Sequence, residues 1–130
     1  MKHAWLKAVP WDAVTIINQQ LCAAKHAQHG PTSEGHQPAR ELWDTTHPHP
    51  LDLNELVELC RQCHRLAPFL NYNGNTFVVI ARQIIGNLPL GGQAPALRSL
   101  AGHIIAGTAS PEEQKAFHTA VAKLTDRPSA

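Results

Sequence analysis

Between positions 64 and 82 the chain reads HRLAPFLNYNGNTFVVIAR, and this stretch holds most of the side chains that could do chemistry. Asn71, Asn73, Gly74, Asn75 and Thr76 form a short polar loop between two apolar runs, with His64 ahead of it and Arg82 behind it. Backbone N–H groups at a glycine-bearing turn, followed at once by a helix N-terminus, make a concave donor set suited to phosphate or another anion. His64 falls one turn before the end of the first run and Arg82 two turns into the second, so each reaches toward the loop. An imidazole there is a candidate base and a guanidinium a candidate phosphate partner. The same residues also suit a plain turn, in which asparagines bond their own backbone and Gly74 supplies a positive φ. Both readings of the loop stand at this point.

A second grouping, Cys60-x-x-Cys63-His64 with Cys22 and His26 as distant partners, has zinc-like spacing, since structural zinc takes four nitrogen or sulfur ligands. All three cysteines, however, lie on apolar stripes of helix-like segments, where a free thiol behaves as a small hydrophobe. The expectation is therefore buried thiols and no metal site. Nine histidines are many for this length, and His26, His29, His36, His47 and His49 crowd the first loops. They read as a polar loop region or a pH-sensitive surface, and His47-Pro48-His49 alone defines no metal site.

The elements that position these groups are helical. PWDAVTIINQQLCAAKHAQHG places Trp11, Val14, Ile17, Leu21 and Ala24 on one face, with Gly30 and Pro31 to close it. ARELWDTT spans one or two further turns. HPHP predicts extended backbone, because a residue before proline is pushed out of the α region. LDLNELVELCRQCHRLAPF has Asp52 as cap and Glu55 as its reciprocal partner, and predicts a helix near 52–67. Thr76 caps the next helix, to about residue 87. Leu97, Leu100, Ala101, Ile104 and Ile105 stripe another helix, ended by Gly107. The last has Ser110 as cap, Pro111 at its first position and Glu113 three residues after the cap, with Phe117, Val121 and Leu124 inward. Alternating strand patterns are nearly absent. The fold class is all-α: a compact single domain over 1–130, with about five main helices, a short extra one and a C-terminal tail over 126–130.

Composition fits that reading. The chain has 130 residues, 43% hydrophobic and 16% charged, with net charge +1, enough to bury one continuous core. No basic stripe points to nucleic acid, and the basic residues needed to read the last two helices as helix-turn-helix are missing. The longest uncharged apolar run is far too short to span a membrane. With no apolar leader and an odd count of cysteines, the expectation is a cytoplasmic protein with free thiols. Trp5, Trp11 and Trp43 pack around the first helix, or Trp5 joins an exposed patch.

Laid out in this order, the chain resembles the Fic/Doc family, and more closely its short Doc-like members. In that family a long helix ends in H-P-F, a tight loop reads roughly D-G-N-G/K-R, and the next helix is buried. Here Ala67-Pro68-Phe69, Gly74-Asn75 and the run from Phe77 occupy those places, and the rhythm of LRSLAGHIIAGTASPEEQKAFHTAVAKL matches downstream. The resemblance implies a histidine base toward an attacking hydroxyl, an acid holding magnesium on a nucleotide such as ATP, and an arginine on phosphate. Ala67 stands where the histidine would be and Asn73 where the acid would be. Thr76-Phe77 follows where the arginine is expected, and the loop from Phe69 to Gly74 is longer by two residues. The motif is degenerate. It implies a diverged member without AMP transfer: a toxin- or immunity-related module binding another protein, with a retained phosphate or nucleotide loop at Asn71, Asn73, Gly74, Asn75 and Thr76. The alternative is an active enzyme that transfers a nucleotide or phosphate to a protein hydroxyl from a rearranged site, using His64 and Arg82.

Overall fold

The computed structural model describes residues 2–125, so the tail expected over 126–130 lies outside the described residues. Six helices follow one another: α1 (Trp11–Ala24), α2 (His36–Thr46), α3 (Leu53–Leu66), α4 (Asn73–Gly86), α5 (Ala94–Ala106) and α6 (Pro111–Thr125), with a single 3-10 turn at Gly91–Gln93. β-Pairing among the described residues is limited to two isolated antiparallel bridges, His3 with Leu51 and Pro31 with Phe69. The all-α expectation holds. The count of five main helices does not, because ARELWDTT is part of a full helix of 11 residues. That helix starts at His36 and carries Pro38 in its first turn, where a missing N–H costs no intrahelical bond.

α3 and α4 are central. α4 packs most extensively on α5, and α3 touches α2, α4, α5 and α6, while α1 covers α4 and α2. Trp43, Phe77, Phe117, Leu6, Leu56 and Ile105 are the large, fully buried side chains between these layers. Trp11 stacks on Phe69 at 5.6 Å, and Trp43 donates its indole N–H to the Val9 carbonyl at 2.9 Å. Trp5 is half-buried against the same core.

Locally encoded caps form as expected. Asp52 accepts from the Glu55 N–H at 2.7 Å while Glu55 accepts from the Asp52 N–H at 3.1 Å. Ser110 and Glu113 repeat that exchange at the start of α6, with both bonds at 3.1 Å. Gly107 ends α5 in left-handed backbone, φ 79.

Several boundaries differ from expectation. α1 stops at Ala24, six residues short of Gly30, because His26 turns left-handed (φ 54) and the Ala27 N–H folds back onto the Cys22 carbonyl at 2.8 Å. His47, although it precedes Pro48, is α-helical at φ −62 and ψ −31. Its N–H and its ring Nδ1 both bond the Trp43 carbonyl, at 2.8 and 3.0 Å, and these contacts outweigh the pre-proline restriction. α4 begins at Asn73, so Thr76 lies inside its first turn and is not the cap.

Candidate functional site

α3 ends at Ala67, an alanine in left-handed backbone with φ 51 and ψ 64, and Pro68 blocks any continuation. The loop then runs to Tyr72, a second non-glycine residue held left-handed, at φ 59 and ψ 34. A left-handed residue followed directly by helical backbone turns successive N–H groups toward one concavity, and a helix's first turn leaves its N–H groups without intrahelical acceptors. The left-handed residue of this loop is Tyr72, directly before α4, and not a glycine. Gly74 is an ordinary helical residue and is absent from the positive-φ positions, which corrects the expectation of positive φ there. What the site uses at Gly74 is close approach: a Cβ would fall 3.2 Å from Nε2 of His64.

These groups line one cleft of about 670 Å³ between the α3–α4 junction and α5. His64, Asn73, Gly74, Asn75 and Arg82 all border it, together with Tyr72, the apolar Val78, Val79 and Ala106, and two α5 residues, Gly102 and His103. His64 is half-buried, and its Nδ1 lies 2.8 Å from the Ile105 carbonyl. A carbonyl only accepts, so Nδ1 carries the proton in the neutral ring and Nε2 presents a lone pair toward Gly74. Arg82 is exposed, donates from Nε to the Arg98 carbonyl at 3.3 Å, and lies over Gly102, where a Cβ would come 3.5 Å from that nitrogen. His103 bonds Glu113 on α6 through Nδ1 at 2.5 Å, a contact that holds the Glu113 carboxyl below its usual range.

Three of the named residues are committed elsewhere. Asn73 spends both amide atoms on Phe69: Oδ1 accepts from its N–H and Nδ2 donates to its carbonyl, each at 2.8 Å. Asn71 faces away, donating to the Gln28 carbonyl at 2.9 Å. Thr76 is fully buried, its hydroxyl bonded to the Tyr72 carbonyl at 2.8 Å and accepting from Asn18 at 3.0 Å. Asn75 remains exposed at the cleft.

No carboxylate is among the residues lining the cleft. Magnesium requires hard oxygen donors in near-octahedral array, and the one side-chain amide oxygen of Asn73 is already bonded to the Phe69 N–H. These residues do not fit magnesium. With one guanidinium and the positive end of α4 beside it, the cleft offers an anion favourable charge without a metal.

The cysteines form no part of the cleft. Cys22, Cys60 and Cys63 are fully buried free thiols. Desolvation pushes Cys60 far above its ordinary value and Cys63 up to about 12. Among the described residues no three His, Cys, Asp or Glu side chains converge on a common point. No helix of the described residues is long and apolar enough to cross a membrane.

Sequence reasoning missed His103, Tyr72 and Asn18. His103 had no signal, because it is an exposed residue on a helix recognised only by its apolar stripe. Asn18 had one: it falls four residues after Val14 and four before Cys22, in the buried register of α1. Of the face expected to be buried, Trp11 and Val14 are buried and Ile17 packs partly against the core, but further along the helix Asn18 and Cys22 turn inward in place of Leu21 and Ala24.

The chain matches no family model, no curated protein and no solved structure.

Proposed function

We propose that this chain is a diverged Fic/Doc-like protein that binds and does not transfer. Its α3–α4 cleft takes a phosphate or the phosphates of a nucleotide without magnesium, and the domain serves as a binding module for another protein, a toxin- or immunity-related partner. The observation that carries the reading is the arrangement around Gly74: the first turn of α4, whose N–H groups have no intrahelical acceptors, and Arg82 on the same carboxylate-free cleft. The left-handed residue supports the family resemblance as well. Counted from Phe69 with no insertion, the D-G-N-G pattern falls on Asn71-Tyr72-Asn73-Gly74, which puts Tyr72, at φ 59, on the pattern's glycine. That register needs no longer loop. It leaves Asn71 at the acid, Asn75 at the arginine and Ala67 at the histidine, so the three chemical groups are all replaced while the backbone shape remains. Leu66 and Leu70, exposed on either side of the Ala67–Phe69 turn, give the protein-binding half of the reading its surface.

The test is calorimetry and thermal shift with inorganic phosphate, ADP and ATP, each with and without magnesium. Binding independent of magnesium is expected, with a stabilisation of about 2.7 kcal/mol at a hundredfold excess over Kd. Arg82→Gln should weaken it. No shift with any of the three, or binding only with magnesium, would refute the proposal.

His64 supports a second reading. An imidazole with its Nδ1–H fixed on the Ile105 carbonyl and its Nε2 beside Gly74 at the start of α4 has the placement of a general base at the cleft. On that reading the chain transfers a nucleotide or phosphate to a protein hydroxyl. Labelled ATP separates the two: transfer to protein that is lost on His64→Ala establishes the enzyme, and absence of label with retained binding establishes the binding module.

A further inference from the structure

Asn18 is the one fully buried amide side chain of the described residues, and it lies on α1, outside the cleft. Its Nδ2 donates to the Asn71 carbonyl at 2.8 Å and to the Thr76 hydroxyl at 3.0 Å. Its Oδ1 accepts from the Cys22 thiol at 3.6 Å and lies 2.9 Å from Nδ1 of His29, which therefore carries the ring proton in the neutral form. Two donors and two lone pairs are all used, so the amide is saturated.

Packing alone does not call for an amide here. Burying one is costly unless every bond is made, and an apolar residue of similar size would fill the same space. Both groups that receive its N–H bonds belong to the segment that builds the cleft floor. Asn71 immediately precedes left-handed Tyr72, and Thr76 lies one turn into α4 with its hydroxyl returned to the Tyr72 carbonyl. In a trans peptide the carbonyl and the next N–H point in opposite directions. Pinning the Asn71 carbonyl inward on Asn18 therefore turns the Tyr72 N–H outward, away from α1. We infer that Asn18 is a positioning residue for the anion cleft: it clamps the loop at residues 71 and 76, and so sets the direction of the Tyr72–Asn75 N–H groups. The inference rests on the anion-binding reading for its function, but the clamp itself is measurable without a ligand.

The experiment is amide NMR on ¹⁵N-labelled protein, first ligand-free and then titrated with inorganic phosphate. The variants are Asn18→Leu, Thr76→Val and Thr76→Ser, with Cys22→Ala as a control that removes only the thiol donor. Asn18→Leu and Thr76→Val should move the Tyr72–Asn75 amide resonances and speed their exchange, leaving those of α6 unchanged. Phosphate affinity should fall by about tenfold or more, the loss of one well-made interaction. Thr76→Ser keeps the hydroxyl and should restore wild-type resonances and affinity, and Cys22→Ala should resemble wild type at the loop. Should Asn18→Leu fail to fold, the Thr76 pair decides. Unmoved Tyr72–Asn75 amides in Asn18→Leu and Thr76→Val, or phosphate affinity within about twofold of wild type, would overturn the positioning role. If wild type binds no phosphate, the functional reading falls, and the ligand-free resonances alone decide whether Asn18 is the clamp.

Discussion

Replacing Asn73 by alanine should destabilise the fold, and by an amount the geometry sets. The side chain makes two bonds to Phe69, one to its N–H and one to its carbonyl, both at 2.8 Å, and Phe69 is 2% exposed. A typical bond contributes about 1 kcal/mol net, and a buried group left without a partner costs about 1–3 kcal/mol. Losing both bonds at this buried residue gives a loss of about 2–3 kcal/mol for Asn73→Ala. For a chain of this size each kcal/mol moves Tm by about 3–5 °C, so the expected fall is roughly 6–15 °C. Asn73→Asp should lose less. It keeps an acceptor for the Phe69 N–H but sets a second oxygen against the Phe69 carbonyl where a donor was. Thermal and urea unfolding followed by circular dichroism measure both variants. If Asn73 were instead a group reserved for ligand, Asn73→Ala would leave Tm within a degree or two and abolish anion binding. That result would refute the assignment of Asn73 as the residue that closes the loop.

Three further expectations follow from the same structure. The Glu58 carboxyl is held low chiefly by the Arg61 side chain, Glu55 by the Asp52 backbone N–H and Glu113 by His103, all below an ordinary 4.5. Their stabilisation is therefore present above about pH 4.5 and lost as pH falls through the depressed values, so the urea midpoint should drop on that acid limb and Glu58→Gln should flatten it. Cys60 and Cys63 are raised above 9.0 by burial. The native protein should thus resist a thiol reagent at pH 8, react fully once unfolded, and lose stability as pH rises above 9; rapid labelling of the folded chain would contradict their burial. A Cβ on Gly35 would fall 1.8 Å from the Leu66 carbonyl oxygen and 2.5 Å from that of Ala67, so Gly35→Ala should cost at least the roughly 1–3 kcal/mol of ordinary overpacking, and a wild-type Tm would show that α2 can slide.

The legible parts of the fold were those decided within a few residues. The Asp52–Glu55 and Ser110–Glu113 exchanges, the Gly107 stop and the inward Phe117 and Val121 all depend on local spacing, and all form. The illegible parts were decided by distant partners. His26, Ala67 and Tyr72 take left-handed backbone that local preference assigns to glycine. The buried face of α1 includes a polar residue because its hydrogen-bond partners lie more than fifty residues away. At the site, helical spacing was enough to bring His64, Gly74, Asn75 and Arg82 to one cleft. It could not show that Asn71, Asn73 and Thr76 would spend their side chains on the loop, since that depends on Gln28, Phe69 and Asn18.

Those commitments bear on how the loop holds two non-glycine residues, Ala67 and Tyr72, in left-handed backbone. A non-glycine residue held left-handed costs of order 1 kcal/mol or more, and it persists only where its surroundings over-determine it. Here the surroundings do so at both ends. Thr32 donates its hydroxyl to the Ala67 carbonyl at 2.6 Å and its N–H to the Pro68 carbonyl at 2.9 Å. Asn73 ties Phe69 from within, Leu70 donates to the Gly30 carbonyl at 3.0 Å, Asn18 holds the Asn71 carbonyl, and the Thr76 hydroxyl holds that of Tyr72. Of the side chains that make these contacts, Thr32, Asn18, Thr76 and Asn73, only Asn73 borders the cleft. Backbone shape and side-chain chemistry are therefore separable in this loop. Substitution at Asn75 or Arg82 should therefore change the chemistry of the cleft without releasing the turn, because neither side chain holds the loop and no carboxylate lines the cleft.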